Sequence, residues 1–200
     1  MRKDLFEKTD SARALQILKD GNKRYVTGNT LHGADYSHAR SALAEKGQTP
    51  LAVVFGCSDS RVPPEIVFDM GIGELFVVRT AGNVADAISV GSVEFAVEHL
   101  HARVVLVLGH EKCGAVAAAV AGGEHGPNIG AIIREIEPSI ERVRAEGGHD
   151  LNCRCEDENI RHTVSELGVS PILSRYVDEG KLLITGAKYN LISGEVNFAI

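Results

Sequence analysis

Apolar residues along the chain form four short continuous runs, each of the length of a β-strand. The runs lie at 51–55, 75–78, 104–108 and 182–184. Since they do not alternate with polar residues, they are typical of strands buried on both faces of a sheet. Between them, apolar residues recur at helical spacing over 90–100, 115–121 and 129–143. This order predicts an α/β fold, in which a mostly parallel central sheet is flanked by helices.

The two ends of the chain carry further patterns. Asp10 and Ser11 can cap an amphipathic helix, whose apolar positions include Ala14, Leu15, Ile17 and Leu18. We therefore expect residues 1–45 to form an N-terminal helical arm that packs on a partner subunit, and residues 46–200 to form a single α/β domain. Residues 188–198 predict two short strands around a turn at Ser193 and Gly194.

Composition and charge narrow the function classes. The chain has 200 residues, of which 44% are hydrophobic and 24% are charged, as in an ordinary globular domain. A formal net charge of −6 excludes the basic field that would attract nucleic acid or anionic lipid. The apolar runs are far shorter than the ~20 residues of a membrane helix. The first residues lack an apolar stretch of secretory length, so we expect a cytoplasmic protein without nucleic-acid or membrane partners.

Residues that bind metals follow two of the predicted strands. Cys57 comes soon after the first run, and His110 and Cys113 follow the third. Because neighbouring parallel strands end at one edge of a sheet, these residues are expected to converge there. Zinc prefers thiolate and imidazole ligands, and three protein ligands leave one position open for catalysis. The alternative is that both cysteines are small buried hydrophobic residues and that His110 is a satisfied core histidine.

Asp59 and Arg61 lie close to Cys57 in the chain. In an extended loop, their spacing places both side chains on one side. A carboxylate there can occupy the open zinc position or accept a hydrogen bond from water on the metal. A guanidinium can hold that carboxylate bidentately and keep it ionised. The alternative is a surface ion pair of little energetic weight.

Two further cysteines, Cys153 and Cys155, lie in a charged segment that we expect to be an exposed loop. A chain of this length in a reducing compartment does not need disulfides. One residue between two cysteines is also poor spacing for a tetrahedral metal site. We therefore expect both to be surface thiols without a ligand.

Three segments, in order along the chain, closely resemble the motifs of the β-class carbonic anhydrases. They are Cys57-Ser58-Asp59-Ser60-Arg61-Val62, then Arg79-Thr80-Ala81-Gly82-Asn83, and then Gly109-His110 with Cys113-Gly114. The resemblance extends over nearly the whole chain. It implies a sheet of order 2-1-3-4 with an additional edge strand. It also implies a homodimer or a dimer of dimers, in which each site is lined partly by the partner.

The resemblance implies one zinc ion (Zn²⁺) per chain, held by Cys57, His110 and Cys113 in the domain of residues 46–200. Asp59 and Arg61 then form a catalytic dyad beside the metal. Asp59 becomes the fourth zinc ligand in a closed, inactive form that lower pH favours. Since hydroxide and carboxylate compete for one position, the two forms exclude each other.

The implied reaction is the reversible hydration of carbon dioxide to bicarbonate and a proton by zinc-bound hydroxide. Gln48, Phe76 and Gly114 match substrate-pocket positions of the family. One alternative is an enzyme of the same fold that hydrolyses CS₂ or COS. Another is a protein without catalytic activity that binds zinc or senses redox state. Asp59 and Arg61 beside the ligands favour the enzyme.

Overall fold

The computed structural model describes residues 9–32 and 37–200, apart from the side chains of residues 37–39. A five-stranded sheet with strand order β2-β1-β3-β4-β5 forms its centre. The strands are β1 (Ala52–Cys57), β2 (Leu75–Thr80), β3 (Val104–His110), β4 (Leu183–Tyr189) and β5 (Val196–Asn197). The first four strands run parallel, and β5 pairs antiparallel with β4. The predicted fold class and strand order, including the additional edge strand, are confirmed.

Eight helices of the described residues surround this sheet. They are α1 (Ser11–Val26), α2 (Ser37–Lys46), α3 (Pro64–Val67), α4 (Ala87–Leu100), α5 (Gly114–Ala121), α6 (Pro127–Glu146), α7 (Leu151–Gly168) and α8 (Pro171–Asp178). A 3₁₀ turn at Ala81–Asn83 follows β2. The helices predicted within 90–143 are confirmed, each slightly longer than its apolar pattern. None of the described helices has the length and apolar character required to cross a membrane.

Helices cover both faces of the sheet, which explains the continuous apolar runs. Every residue of β1 and β3 is buried. On one face, Leu18 of α1 belongs to the core cluster that contains Val54. On the other face, Val97 of α4 and Ile160 of α7 pack in the cluster that contains Val53. Alternate residues of one strand therefore serve two different cores.

The predicted helix at the amino-terminal end is present as α1. Its N-cap is Asp10, whose side chain accepts a hydrogen bond from the Arg13 N–H at 2.8 Å. Ala14 and Leu18 are fully buried against the chain's own sheet. Packing of residues 1–45 on a partner subunit stays a prediction, and residues 1–8 and 33–36 of that arm lie outside the described residues.

Two predictions about the second half of the chain are wrong. Lys188 and Tyr189 complete β4 rather than form a separate short strand, because β4 pairs with β3 along its whole length. The segment at 153–155 is part of α7 and not an exposed loop. The buried face of α7 includes Glu156, Asn159 and Thr163, and these polar residues conceal its helical periodicity in the sequence.

Candidate metal centre

The adjacent strands β1 and β3 bring the predicted metal ligands to the carboxyl edge of the sheet. Cys57 is the last residue of β1, and His110 is the last residue of the adjacent parallel strand β3. Cys113 follows three residues later, at the N-cap of α5. The ligand atoms of these three buried residues all lie within 4.8 Å of one another. The sequence prediction that the three residues converge is therefore met by the geometry.

His110 presents one ring nitrogen to this cluster. Its Nδ1 lies 2.8 Å from the carbonyl oxygen of Glu111. Because a carbonyl can only accept, Nδ1 carries the proton and donates it, which leaves the Nε2 lone pair free. Nε2 is buried and has no hydrogen-bond partner among the described residues. A buried acceptor without a partner is costly, and a metal ion would satisfy it.

A hydrogen bond between the two thiols of the cluster moves their pKa values apart. The hydrogen bond with Cys113 does most to lower the pKa of Cys57, and burial opposes this effect. The N–H of Gly82 also donates to Cys57 Sγ at 3.3 Å. The same bond with Cys57, together with burial, raises the pKa of Cys113. A divalent cation that binds both sulfurs needs both as thiolates, so its binding would release any proton that they carry.

Asp59 and Arg61 form a bidentate ion pair beside the cluster. Arg61 Nε donates to Asp59 Oδ1 at 2.9 Å, and Arg61 Nη2 donates to Oδ2 at 2.6 Å. These hydrogen bonds hold the pKa of Asp59 well below its usual range. Asp59 Oδ2 lies 3.9 Å from His110 Nε2. The two side chains meet because Asp59 begins a turn closed by the Val62 N–H, and not because the loop is extended as expected.

Arg79 supports the Cys57 segment from the neighbouring strand β2. Its Nε donates to the carbonyl oxygen of Cys57 at 2.9 Å, and its Nη2 donates to the carbonyl oxygen of Asp59 at 2.6 Å. Arg79 lies opposite Gly56 in the sheet register. The role of Arg79 could not be predicted from the sequence, since it depends on a pairing between distant strands.

The three predicted pocket residues lie in two different places. Gly114 follows Cys113 at the start of α5, and a Cβ there would meet no atom of another segment within 4 Å. Gln48 is exposed in the segment before β1, so the whole strand separates it from Cys57, roughly 20 Å at the usual rise per residue. Phe76 pairs with Val53, four residues away from the carboxyl edge. One chain therefore brings Gly114 to the cluster, but not Gln48 or Phe76.

The remaining cysteines lie on α7. Cys153 is exposed as expected, but Cys155 is fully buried, so the prediction of two surface thiols is wrong for Cys155. Its side chain packs in the core cluster that holds Ile140 and Val143 of α6. Within residues 9–32 and 37–200, one group of three or more His, Cys, Asp or Glu side chains could hold a metal ion. It consists of Cys57, His110 and Cys113.

Comparison with known proteins agrees with this geometry. The family model described as carbonic anhydrase matches residues 52–196. Carbonic anhydrase 2 of Mycobacterium tuberculosis is 40% identical over 193 residues, covering 93% of this chain and 91% of that protein. A carbonic anhydrase of Mycolicibacterium smegmatis is 40% identical over 188 residues, covering 92% and 90%.

Solved structures show the same fold. A tetrameric β-carbonic anhydrase of Sordaria macrospora superposes with a TM-score of 0.73 at 25% identity, covering 81% of this chain and 86% of that one. The Coccomyxa enzyme, in complex with acetazolamide, has a TM-score of 0.71 at 26% identity, covering 84% and 87%. Sequence, fold and the Cys-His-Cys cluster lead to one conclusion: the chain belongs to the β-carbonic anhydrases, enzymes that hydrate carbon dioxide.

Proposed function

We propose that Cys57, His110 and Cys113 hold one zinc ion per chain, and that Asp59 and Arg61 act beside it in the reversible hydration of carbon dioxide. The observation that carries this proposal is the convergence of two thiol sulfurs and one imidazole nitrogen within 4.8 Å. This donor set fits zinc, and three protein ligands leave a fourth position open. The unpartnered Nε2 of His110 supports the same assignment.

When bound, zinc supplies a Lewis acid that makes hydroxide available from water near neutral pH. The carboxylate of Asp59 accepts a hydrogen bond from the attacking group and orients it toward the carbon of CO₂. Arg61 positions Asp59 and keeps it ionised, because its guanidinium donates to both carboxylate oxygens. Gly114, which has no side chain, leaves room for the substrate beside Cys113.

Asp59 also has a second role in the proposal. Its Oδ2 lies 3.9 Å from His110 Nε2 and is close enough to become the fourth zinc ligand after Arg61 releases it. That form would be closed to substrate. The arrangement described above, with Asp59 bound to Arg61, corresponds to the open form.

Gln48 and Phe76 require a partner subunit in this proposal. They lie toward the opposite edge of the sheet from Cys57, so a chain cannot deliver them to its own zinc site. We propose a homodimer or a dimer of dimers, in which each chain supplies these residues to its partner's substrate pocket. The tetrameric state of the Sordaria enzyme supports an assembly of this kind. The free thiols of the zinc site are compatible with a cytoplasmic location, where thiols stay reduced.

Stopped-flow CO₂ hydration on zinc-quantified protein, at pH 7 and near pH 9, tests the proposal. We expect activity with one zinc per chain and its collapse in Asp59→Ala. Asp20→Ala is the matched control, because Asp20 is exposed on α1 and bonds to Gln16. One zinc per chain without CO₂ hydration would contradict the catalytic role and favour hydrolysis of CS₂ or COS. A zinc site without activity on any of the three substrates would indicate a zinc-binding or redox-sensing protein.

A further inference from the structure

We propose that Glu156 is a positioning residue for the zinc ligand Cys113, and that Lys188 holds Glu156 in place. This inference rests on the proposed zinc site. It concerns two buried residues from distant parts of the chain, on α7 and on β4. Neither belongs to the ligand cluster or to the Asp59–Arg61 pair.

One polar face of helix α7 contacts the backbone of Cys113 and the backbone of the turn after β2. Glu156 Oε1 accepts a hydrogen bond from the Cys113 N–H at 3.2 Å. Asn159 Nδ2 donates to the carbonyl oxygen of Gly82 at 2.7 Å, and the N–H of Gly82 donates to Cys57 Sγ. Thr163 Oγ1 donates to the carbonyl oxygen of Asn83 at 2.9 Å. One helix thus reaches Cys113 directly and Cys57 through Gly82.

Two glycines bring α7 close enough to the sheet for these contacts. A Cβ at Gly109 of β3 would lie 2.5 Å from Ile160 Cδ1, and one at Gly186 of β4 would lie 2.6 Å from Ile160 Cγ2. Both distances are shorter than real contacts of this kind. The close approach of Ile160 therefore depends on the absence of side chains at these strand positions. This approach places the polar face of α7 within hydrogen-bond distance of Cys113 and Gly82.

A buried carboxylate needs a compensating charge, and Lys188 supplies it. Glu156 is 7% exposed and Lys188 is 9% exposed. Lys188 Nζ lies 2.9 Å from Glu156 Oε2 and 2.8 Å from Asp157 Oδ1. Lys188 also pairs with Gly109 in the sheet, next to His110. If Glu156 served only to fill space in the core, a neutral or apolar side chain would do so at a lower desolvation cost.

The segment that Glu156 holds is strained and lacks a usual helix cap. Lys112 adopts a left-handed conformation with φ of 53°, which is unfavourable for a residue with a side chain. Cys113 is the N-cap of α5, but its side chain makes no capping hydrogen bond. In the proposed site, that side chain binds metal and cannot cap. The carboxylate of Glu156 accepts from the N–H of Cys113 itself, which is a different donor from those that a cap side chain would satisfy. It also places a negative charge at the helix N-terminus, where it is favourable.

The proposed role is therefore specific. Glu156 fixes the backbone of Cys113 so that its sulfur faces Cys57 and His110 before the metal binds. Residues that orient metal ligands in this way commonly change metal affinity by about 10- to 100-fold when they are substituted.

Zinc affinity by chelator competition, measured on the 200-residue chain, tests the role. E156Q keeps the shape of the side chain but removes its charge, and its single amide oxygen cannot accept from both the Cys113 N–H and Lys188 Nζ. E158Q is the matched control, because Glu158 lies on the same helix and makes the same kind of ion pair with Arg142 and Arg161, away from the ligands. We expect about tenfold weaker zinc binding in E156Q and a change within about twofold in E158Q. The thiolate-to-metal absorption of the Co²⁺-loaded protein should shift in E156Q alone.

The double variant E156L/K188M covers the case in which the single variant does not fold. It removes both buried charges, so neither is left unpaired, and it leaves the Cys113 N–H without its side-chain acceptor. Unchanged zinc affinity and an unchanged cobalt spectrum in the folded variants would overturn the role of Glu156. Equal weakening in E158Q would also overturn it, because the effect would then be general destabilisation. Wild-type protein that does not bind one zinc would instead contradict the proposed zinc site.

Discussion

The guanidinium of Arg61 holds both carboxylate oxygens of Asp59, with Nε 2.9 Å from Oδ1 and Nη2 2.6 Å from Oδ2. The same Nη2 lies 3.3 Å from the carbonyl oxygen of Lys112, in the segment between His110 and Cys113. Arg61 thus connects the two segments that carry the zinc ligands. Its fork shape matters as much as its charge, since a lysine cannot bind two oxygens in this way.

Replacement of Arg61 is expected to lower activity without removing zinc. Arg61→Ala should reduce kcat/KM by about 100-fold, because Asp59 loses its orientation, and Arg61→Lys by about tenfold. Stopped-flow CO₂ hydration and zinc content check this together. Arg175→Ala is the control, because Arg175 makes an exposed ion pair with Glu98 on other helices. Full activity in Arg61→Ala would exclude the dyad from the mechanism.

Cys113 and Cys153 should differ sharply in their response to serine substitution. Cys113→Ser removes a soft ligand from a buried site, so we expect zinc content well below one per chain and loss of activity. Cys153→Ser changes an exposed thiol on α7 and should retain one zinc per chain. Metal analysis by mass spectrometry distinguishes the two. Retention of zinc by Cys113→Ser would refute the proposed ligand set.

Zinc removal should destabilise the folded protein as well as inactivate it. A ligand at 1,000 times its Kd stabilises the native state by about 4 kcal/mol, which corresponds to a Tm shift of roughly 10 °C for a chain of this size. Calorimetry with and without chelator measures the shift, and added zinc should restore the original Tm. The Cys113→Ser variant provides the control, since a chelator should leave its Tm unchanged.

Asp69 is expected to make stability depend on pH at the acid end. Burial raises its pKa, but hydrogen bonds from Arg24 and from the N–H groups of Leu31 and His32 outweigh burial and lower it below the usual value. The stabilisation is then complete above the unfolded pKa, near 4, and is lost as the pH falls through the folded value. Asp69→Asn should cost about 3 kcal/mol at pH 7 because it leaves Arg24 without its partner.

Urea unfolding at pH 7 and at pH 3 measures this effect. The difference in unfolding free energy between wild type and Asp69→Asn should shrink at the lower pH. The exposed residue Asp178 offers a control substitution to Asn that should show no such trend. A difference that stays constant with pH would mean that the ionised form of Asp69 is not what stabilises the fold.

Mixed assemblies test whether Gln48 serves the partner's site. Gln48→Ala should lower kcat/KM, and Cys113→Ser should be inactive. A mixed dimer of the two contains one zinc site whose partner supplies an intact Gln48, so co-refolding should give more activity than the sum of the separate variants. A mixture of Cys57→Ser and Cys113→Ser is the control. It should gain nothing, because both ligands belong to the same site of one chain.

Several features of the site were predictable because they depend on short-range patterns. The continuous apolar runs indicated buried parallel strands, and parallel strands direct their carboxyl ends to one edge. That rule alone brought Cys57 and His110 together, since they end β1 and β3. The spacing of Asp59 and Arg61 likewise indicated their ion pair, although a turn rather than an extended loop produces it.

The features that the sequence did not reveal depend on contacts between distant segments. Glu156 lies 43 residues from Cys113 and contacts a backbone N–H, which every residue type except proline presents. Helix α7, which carries Glu156, was not predicted, because in the sequence its buried polar residues resemble those of an exposed charged loop. The distance of Gln48 from its own zinc site was also hidden, because closeness along the chain does not reveal that a whole strand intervenes.

The sequence by itself determined which residues can bind zinc and that these residues follow buried strands. Such information is local, because strand propensity and ligand chemistry belong to individual residues and their neighbours. Only the tertiary structure decided the tautomer of His110, the hydrogen bond from Arg79 to the Cys57 carbonyl and the hydrogen bond from the Cys113 N–H to Glu156. Each of these depends on a hydrogen bond to a backbone group, whose position exists only once the chain has folded.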